Sequence, residues 1–94
     1  MVQAVWKGVF LAESNACEIV ERNYYFPPGS INEEYFINSP VHTVCFWKGR
    51  ASYYDIEVNE DLNQEAAWYY PRPNTRAEHI KYYVAFWKGV EIIK

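Results

Sequence analysis

The sequence predicts an all-β fold of seven or eight short antiparallel strands in two sheets, a sandwich or tent, with two short helices in the crossings. Phe, Trp and Tyr make up 19% of the 94 residues and occur with β-branched residues in short runs typical of strands. Pro and Gly interrupt these runs. The triplet Trp-Lys-Gly occurs at 6–8, 47–49 and 87–89. Because Gly accepts the positive φ of tight turns, we expect three hairpins.

The central hairpin, residues 42–58, is the stretch around which the rest is organised. In its second arm the apolar residues at even positions of 54–58 alternate with polar ones, which predicts one core face and one face toward water or a cleft. In its first arm Cys45 and Trp47 share one face, and the opposite face carries His42. The sequence leaves open which of these two faces is buried.

The other elements follow from the same local signals. Further strands are predicted at 2–7, 9–13, 17–22, 66–70, 82–87 and 90–93, with the first two and the last two forming hairpins. Capping-box patterns at 30–33 and 75–78 predict the two short helices. The prolines of 23–29 exclude a helix or a central strand, which predicts a crossing loop, and the acidic segment 59–65 predicts a solvated turn.

Length and composition restrict the class of protein. A chain of 94 residues predicts one domain, residues 1–94. The net charge is −3 and the nine Lys and Arg form no basic stripe, so we expect no nucleic-acid partner. No apolar run approaches the ~20 residues of a membrane helix, and no signal-peptide pattern is present, which predicts a cytoplasmic protein without membrane insertion. Cys17 and Cys45 lack metal-site spacing, so we expect reduced thiols, no metal and no cofactor.

The aromatic residues outnumber what a small core can bury, so some of the rings are expected to face a hollow. Rings from separate strands and from the proline loop would then converge on one cleft, which binds a small planar or polar ligand by stacking and cation–π contacts. The candidate ligand-binding residues are Trp47, Trp68, Trp87, Tyr53, Tyr70, Tyr25, His42, Lys48 and Arg72. No residue is assigned a catalytic role.

Four ordered motifs resemble a known family: YYFPPGSINEEYF, HTVCFWKGRASYYDIEV, AAWYYPRP and IKYYVAFWKGVEI. They are similar to the domain of unknown function 427 family, which some collections label a predicted nucleotidyltransferase, and the resemblance extends nearly end to end. It implies a β-tent, in which two antiparallel sheets are pinned at one end and splayed around an aromatic-lined cleft. The family usually has Cys-Pro-Trp-Lys-Gly where this chain has Cys-Phe-Trp-Lys-Gly at 45–49. Replacing that proline frees a backbone N–H and alters the entry to the turn.

Two other interpretations stay open. An enzyme of small-molecule or nucleotide metabolism would use Asp55 and Glu57, which share a strand face about 7 Å apart, or Cys45 with His42 as a thiol–base pair. The three-residue spacing of that pair predicts opposite faces, however, and no glycine-rich phosphate motif accompanies the acids. Alternatively, an accessory subunit would dock on a larger partner through an aromatic sheet face, and both a monomer and a homodimer are compatible with the sequence.

Overall fold

Nine strands and three short 3₁₀ segments form the chain in the computed structural model, which describes residues 1–94. The strands are β1 (Val2–Trp6), β2 (Val9–Ser14), β3 (Glu18–Val20), β4 (Asn23–Tyr25), β5 (Phe36–Cys45), β6 (Gly49–Val58), β7 (Asp61–Tyr69), β8 (Val84–Phe86) and β9 (Glu91–Ile93). The 3₁₀ segments are Pro28–Ser30, Glu33–Tyr35 and Thr75–Ile80. The predicted all-β class is confirmed.

The strands form three antiparallel sheets. The four-stranded sheet has the order β5-β6-β7-β8, the three-stranded sheet the order β2-β1-β9, and β3 pairs with β4 in a two-stranded sheet. The sequence predicted seven or eight strands in two sheets, whereas the structure has nine strands in three sheets. Immediately after β4, Phe26 exchanges two backbone hydrogen bonds of 2.8 Å with Val84 of β8, which attaches the smallest sheet to the edge of the largest.

Two hydrophobic clusters lie on opposite faces of the four-stranded sheet, because side chains alternate along its strands. The first cluster contains Ala4, Leu11, Ala12, Phe26, Ile56, Val58, Ala66, Ala67, Val84 and Phe86. The second contains Tyr25, Ala51, Tyr70, Ala77, Ile80 and Ala85. Each fully buried Leu, Ile, Val or Phe side chain stabilises the fold by about 1.5–3 kcal/mol.

The central hairpin is confirmed and its inward face is now defined. β5 and β6 pair from Phe36↔Ile56 to Cys45↔Gly49. Cys45 and Trp47 pack against the second cluster, whereas Phe46, on the opposite face, is 99% exposed. The face that carries Cys45 and Trp47 is therefore the buried one.

The predicted closing hairpin is wrong. β8 pairs with β7, and β9 pairs with β1. The turn at 87–90 nevertheless has the backbone of the first hairpin turn, with Lys88 and Gly89 both at positive φ, as Lys7 and Gly8 are. Its local chemistry predicts a tight turn correctly, but the partner of each flanking strand is decided by tertiary packing. This turn passes the chain from one sheet to another.

Several boundaries and both capping boxes are also wrong. Neither helix start has a side-chain cap, and the Ser30 hydroxyl donates instead to the Pro27 carbonyl at 2.6 Å, so only 3₁₀ turns form. Residues 23–25 of the predicted crossing loop form a strand because they pair with β3. Strand β7 begins at Asp61, inside the predicted solvated turn, because its polar residues continue the ladder with β6. Long-range pairing overrides the local signal in each case.

We predict that Gly49→Ala destabilises the fold by about 1–3 kcal/mol, because Gly49 has a φ of +112° that L residues rarely adopt. An added Cβ would also lie 3.4 Å from the Arg72 carbonyl oxygen and the Asn74 nitrogen. Urea unfolding measures the loss. The control is Gly29→Ala, a position with open space and no positive φ, where the change should stay within about 0.5 kcal/mol. Equal losses in the two variants would contradict this assignment.

Candidate functional site

Lys48 is the centre of the candidate site, because its ammonium group is buried among aromatic rings. The residue is only 5% exposed. Its Nζ lies 5.5 Å from the centroid of the Trp47 ring and 5.6 Å from that of Tyr70. Both distances are in the cation–π range. A lysine is almost never this buried without a partner, so the group that balances its charge matters.

That partner is Glu21, from the turn between β3 and β4. One carboxylate oxygen of Glu21 accepts a hydrogen bond from Lys48 Nζ, and the other accepts from Trp47 Nε1 at 3.2 Å. Burial alone would lower the pKa of Lys48, but the hydrogen bond to Glu21 and the charge interactions with Tyr25, Tyr70 and Glu21 together outweigh burial and raise the pKa. The same hydrogen bond, with that from Trp47, lowers the pKa of Glu21. Both groups are therefore charged at neutral pH.

A cleft of about 150 Å³ opens beside this lysine. It is lined by Lys48, Tyr53, Trp68, Tyr70 and Trp87. Tyr53 and Trp68 are directly opposite each other on β6 and β7, which places their rings on one face of the sheet. Trp87, immediately after β8, meets Trp68 edge to face with ring centroids 5.7 Å apart. Three neighbouring strands thus supply the rings that form the walls.

Hydrogen bonds fix the orientation of these walls. Trp68 Nε1 donates to the hydroxyl of buried Tyr25 at 3.1 Å, and Trp87 Nε1 donates to the Glu65 carbonyl at 2.5 Å. The Tyr53 hydroxyl shares a hydrogen bond of 2.9 Å with Thr43 Oγ1. Because each ring is held at its polar end, the cleft is formed before any ligand arrives.

The polar groups of the cleft determine which charge a bound ligand can carry. Burial, only partly opposed by Lys48, raises the pKa of Tyr70 to about 12, so its phenol is neutral. Lys48 uses one of its three donors on Glu21, which leaves donors for an acceptor in the cleft. A cation there would be repelled by the ammonium. The volume is comparable to that of a cavity that holds one benzene-sized ring.

The structure brings together five of the nine predicted ligand-binding residues, the five that line the cleft. Tyr25 contacts the cleft indirectly, through its hydrogen bond to Trp68. Trp47 lies outside, in an open groove with Arg76, where it packs on Lys48 and holds Glu21.

His42 and Arg72 do not belong to this cleft and line a different one. His42 pairs with Ser52, which alternates with Tyr53 along β6 and therefore points to the opposite face. The structure therefore separates these two residues from Trp68 and Trp87. Sequence separation alone does not indicate on which side of a sheet a loop residue such as Arg72 lies.

Sequence reasoning missed two features. Nothing in the sequence distinguishes Glu21 from the other acids, because its partner is 27 residues away. A cleft of about 390 Å³ was also missed; it is lined by Pro28, Ile31, Glu33, Phe36, Asn38, Tyr54, Tyr82 and Val84. The available signal for this cleft was the alternation along β6, which assigns Tyr54 to the core face. Tyr54 lies at the margin of that core, where the cleft opens.

The residues of the enzyme interpretation have other partners. Asp55 Oδ1 accepts a hydrogen bond from the backbone N–H of Glu65 at 2.8 Å, which supports the bulge between β6 and β7. His42 Nδ1 lies 3.2 Å from Ser52 Oγ rather than beside Cys45. No group of three or more His, Cys, Asp or Glu side chains is arranged to hold a metal ion.

The fold and the cleft define a class, small all-β proteins with aromatic walls around a buried lysine. Within that class, the chain belongs to the domain of unknown function family DUF427, whose model matches residues 1–93 and carries a name that abbreviates nucleotidyltransferase. No curated protein matches the chain. None of its helical segments has the length and apolar character needed to span a bilayer.

We predict that Glu21→Gln lowers the free energy of unfolding at pH 7 by about 1–2 kcal/mol. This is less than the 3–5 kcal/mol of a fully buried pair because the Glu21 side chain is 51% exposed. Since the pKa of Glu21 is lowered in the fold, the pair stabilises above the ordinary value of 4.5 and loses this effect as pH falls. Because the pKa of Lys48 is raised in the fold, the pair keeps its full stabilising effect up to the ordinary lysine pKa of 10.5. At higher pH this effect is lost.

Urea unfolding at pH 7 and pH 3 tests this dependence. The difference between wild type and Glu21→Gln should shrink at pH 3, below the ordinary pKa of 4.5, because Glu21 of the unfolded chain is then protonated and folding must release that proton. Glu18→Gln, a neighbouring acid on β3, is the control and should change little at either pH. A Glu21→Gln deficit that is the same at both pH values would be incompatible with a charged pair.

Proposed function

We propose that the chain is a small-molecule binding module, and that the Lys48 cleft takes a neutral or anionic ligand with one planar ring. The observation that carries this proposal is the buried ammonium, which faces an aromatic cleft with donors left over after its pairing with Glu21. Stability alone does not explain a lysine at this position, because replacing buried ions by packed apolar groups is often neutral or stabilising.

The aromatic walls support a ring-shaped ligand. Trp68 and Trp87 stand nearly perpendicular to each other, at 78°, so a ring in the cleft meets the face of one and the edge of the other. Two such contacts contribute about 1 kcal/mol each, and one charge-assisted hydrogen bond about 1.5–3 kcal/mol. Before the entropic cost of association, these contacts sum to about 4 kcal/mol, which limits a single-ring fragment to a Kd of about 1 mM or weaker.

We also infer a cytoplasmic location. Support comes from Cys17 and Cys45, which are both free thiols, as is usual in a reducing compartment. Burial raises the pKa of Cys17, which disfavours its reactive thiolate form.

We predict that benzoate, but not benzylamine, binds the cleft. The two fragments have similar size and opposite charge, and the Lys48 ammonium attracts one and repels the other. NMR of the four indole N–H groups, assigned with Trp→Phe variants, reports the site directly. Benzoate should shift the signals of Trp68 and Trp87 and leave Trp6, in the first hairpin turn, unchanged.

Lys48→Met is the matched variant, since it keeps the length of the side chain and removes its charge. It should weaken benzoate binding by tenfold or more, the effect of losing a charge-assisted hydrogen bond of about 1.5–3 kcal/mol. Lys7→Met changes the same position of the first Trp-Lys-Gly triplet and should have no effect. Equal binding of benzylamine, or equal benzoate affinity in Lys48→Met, would refute the proposal.

A further inference from the structure

A second polar cleft, of about 460 Å³, lies on the opposite face of the four-stranded sheet. It is lined by His42, Arg50, Ser52, Pro71, Arg72 and Tyr82. Neither the family description nor the Lys48 cleft accounts for it. Its lining contains two arginines and a histidine and no acid, although the chain as a whole has a net charge of −3.

Strand pairing and one loop bring these cationic residues together. Arg50 and Ser52 are two apart on β6, so they share a face, and His42 is the direct partner of Ser52 on β5. Arg72 arrives from the loop after β7. That loop is fixed over the start of β6 because the Asn74 N–H donates to the Lys48 carbonyl at 2.9 Å and the Arg72 carbonyl approaches Gly49.

The two guanidinium groups have no acidic partner. The salt bridges of the chain are made by Lys7, Lys48 and Lys88, each with an Asp or Glu, and by no arginine. A planar guanidinium presents paired N–H donors that match the oxygens of a phosphate group. Two unpaired guanidiniums at one cleft therefore provide what a phosphate requires.

Ser52 and His42 supply shorter, better-fixed polar groups to the cleft. Ser52 is 8% exposed, and its hydroxyl lies within hydrogen-bond distance, 3.2 Å, of His42 Nδ1. A hydroxyl and an imidazole held against each other on adjacent strands are positioned rather than mobile. They add directed polar contacts beside the two long and flexible arginines.

Tyr82 connects this cleft to the larger one of about 390 Å³, because it lines both. Its ring is stacked on Tyr69 at 6.2 Å and 21°, and Tyr69 is stacked on Tyr54 at 4.6 Å and 23°. A row of nearly parallel rings thus leads away from the arginines. Such rings favour a planar organic group attached to the anion.

We propose that this second cleft binds the phosphate group of a small phosphorylated metabolite, whose planar organic part lies on Tyr82 and extends into the adjoining cleft. Arg50 and Arg72 hold the phosphate oxygens, and Ser52 and His42 add shorter polar contacts beside them. The proposal does not depend on the Lys48 cleft, which lies across the sheet.

Calorimetric titration with inorganic phosphate and with phenyl phosphate, at one fixed chloride concentration, tests this assignment. Phenyl phosphate should bind about fivefold more tightly, from one added ring contact. Arg50→Gln and Arg72→Gln should each weaken both probes by about tenfold. Arg76→Gln, which removes the same charge outside the cleft, should leave both affinities unchanged. Both cleft arginines are exposed, so these variants are expected to fold.

Further measurements separate this site from its alternatives. In Tyr82→Ala, phenyl phosphate should bind no more tightly than inorganic phosphate. Inorganic phosphate, which has no ring to contact the walls of the Lys48 cleft, should leave the indole signals of Trp68 and Trp87 unchanged. A shift of these signals by inorganic phosphate would place the anion in the Lys48 cleft instead. If Arg76→Gln weakened phosphate binding as much as the two cleft variants do, the effect would come from overall charge alone. That result would overturn the proposal. A phosphotyrosine peptide that binds more tightly than phenyl phosphate would overturn the assignment to a small metabolite.

Discussion

The alternation of side chains along β6 is the constraint on which both clefts depend. Odd positions such as Ala51 and Tyr53 face the second hydrophobic cluster, and even positions such as Ser52 and Tyr54 face the opposite way. A shift of the β6 pairing register by one residue would move every side chain of this strand to the opposite face of the sheet. The register is held from both sides, by β5 and by β7, and the Asp55 carboxylate supports the bulge at Glu65 where the second ladder shifts.

The three Trp-Lys-Gly triplets show that the same residues differ in backbone conformation and burial according to their position in the fold. In the first and third triplets the lysine has a positive φ and its side chain is 52% and 40% exposed. Its acidic partner is 61% exposed in the first triplet and 35% exposed in the third. In the central triplet only the glycine has a positive φ, and Lys48 turns into the aromatic interior. The burial of this charge is tolerated because Glu21 and two rings surround it.

The features that follow from local signals were predictable from the sequence. The alternating strands of the central hairpin are of this kind, and so is the pair of rings from Tyr53 and Trp68, which lie on one face of paired strands. Features that depend on distant parts of the chain were not predictable. Glu21 reaches Lys48 from another sheet, and the turn at 87–90 has hairpin chemistry although its two strands enter different sheets. The position of Arg72 depends on how its loop is held over Gly49, which is a long-range contact.

The charge distribution relates the two clefts to the class of ligand that they suit. Each contains cationic side chains, Lys48 in one and two arginines in the other, within a chain of net charge −3. The Debye length is about 8 Å at physiological ionic strength, so a small anion inside a cleft responds mainly to the cations that line it. This distribution supports small anions as the proposed ligands of both clefts.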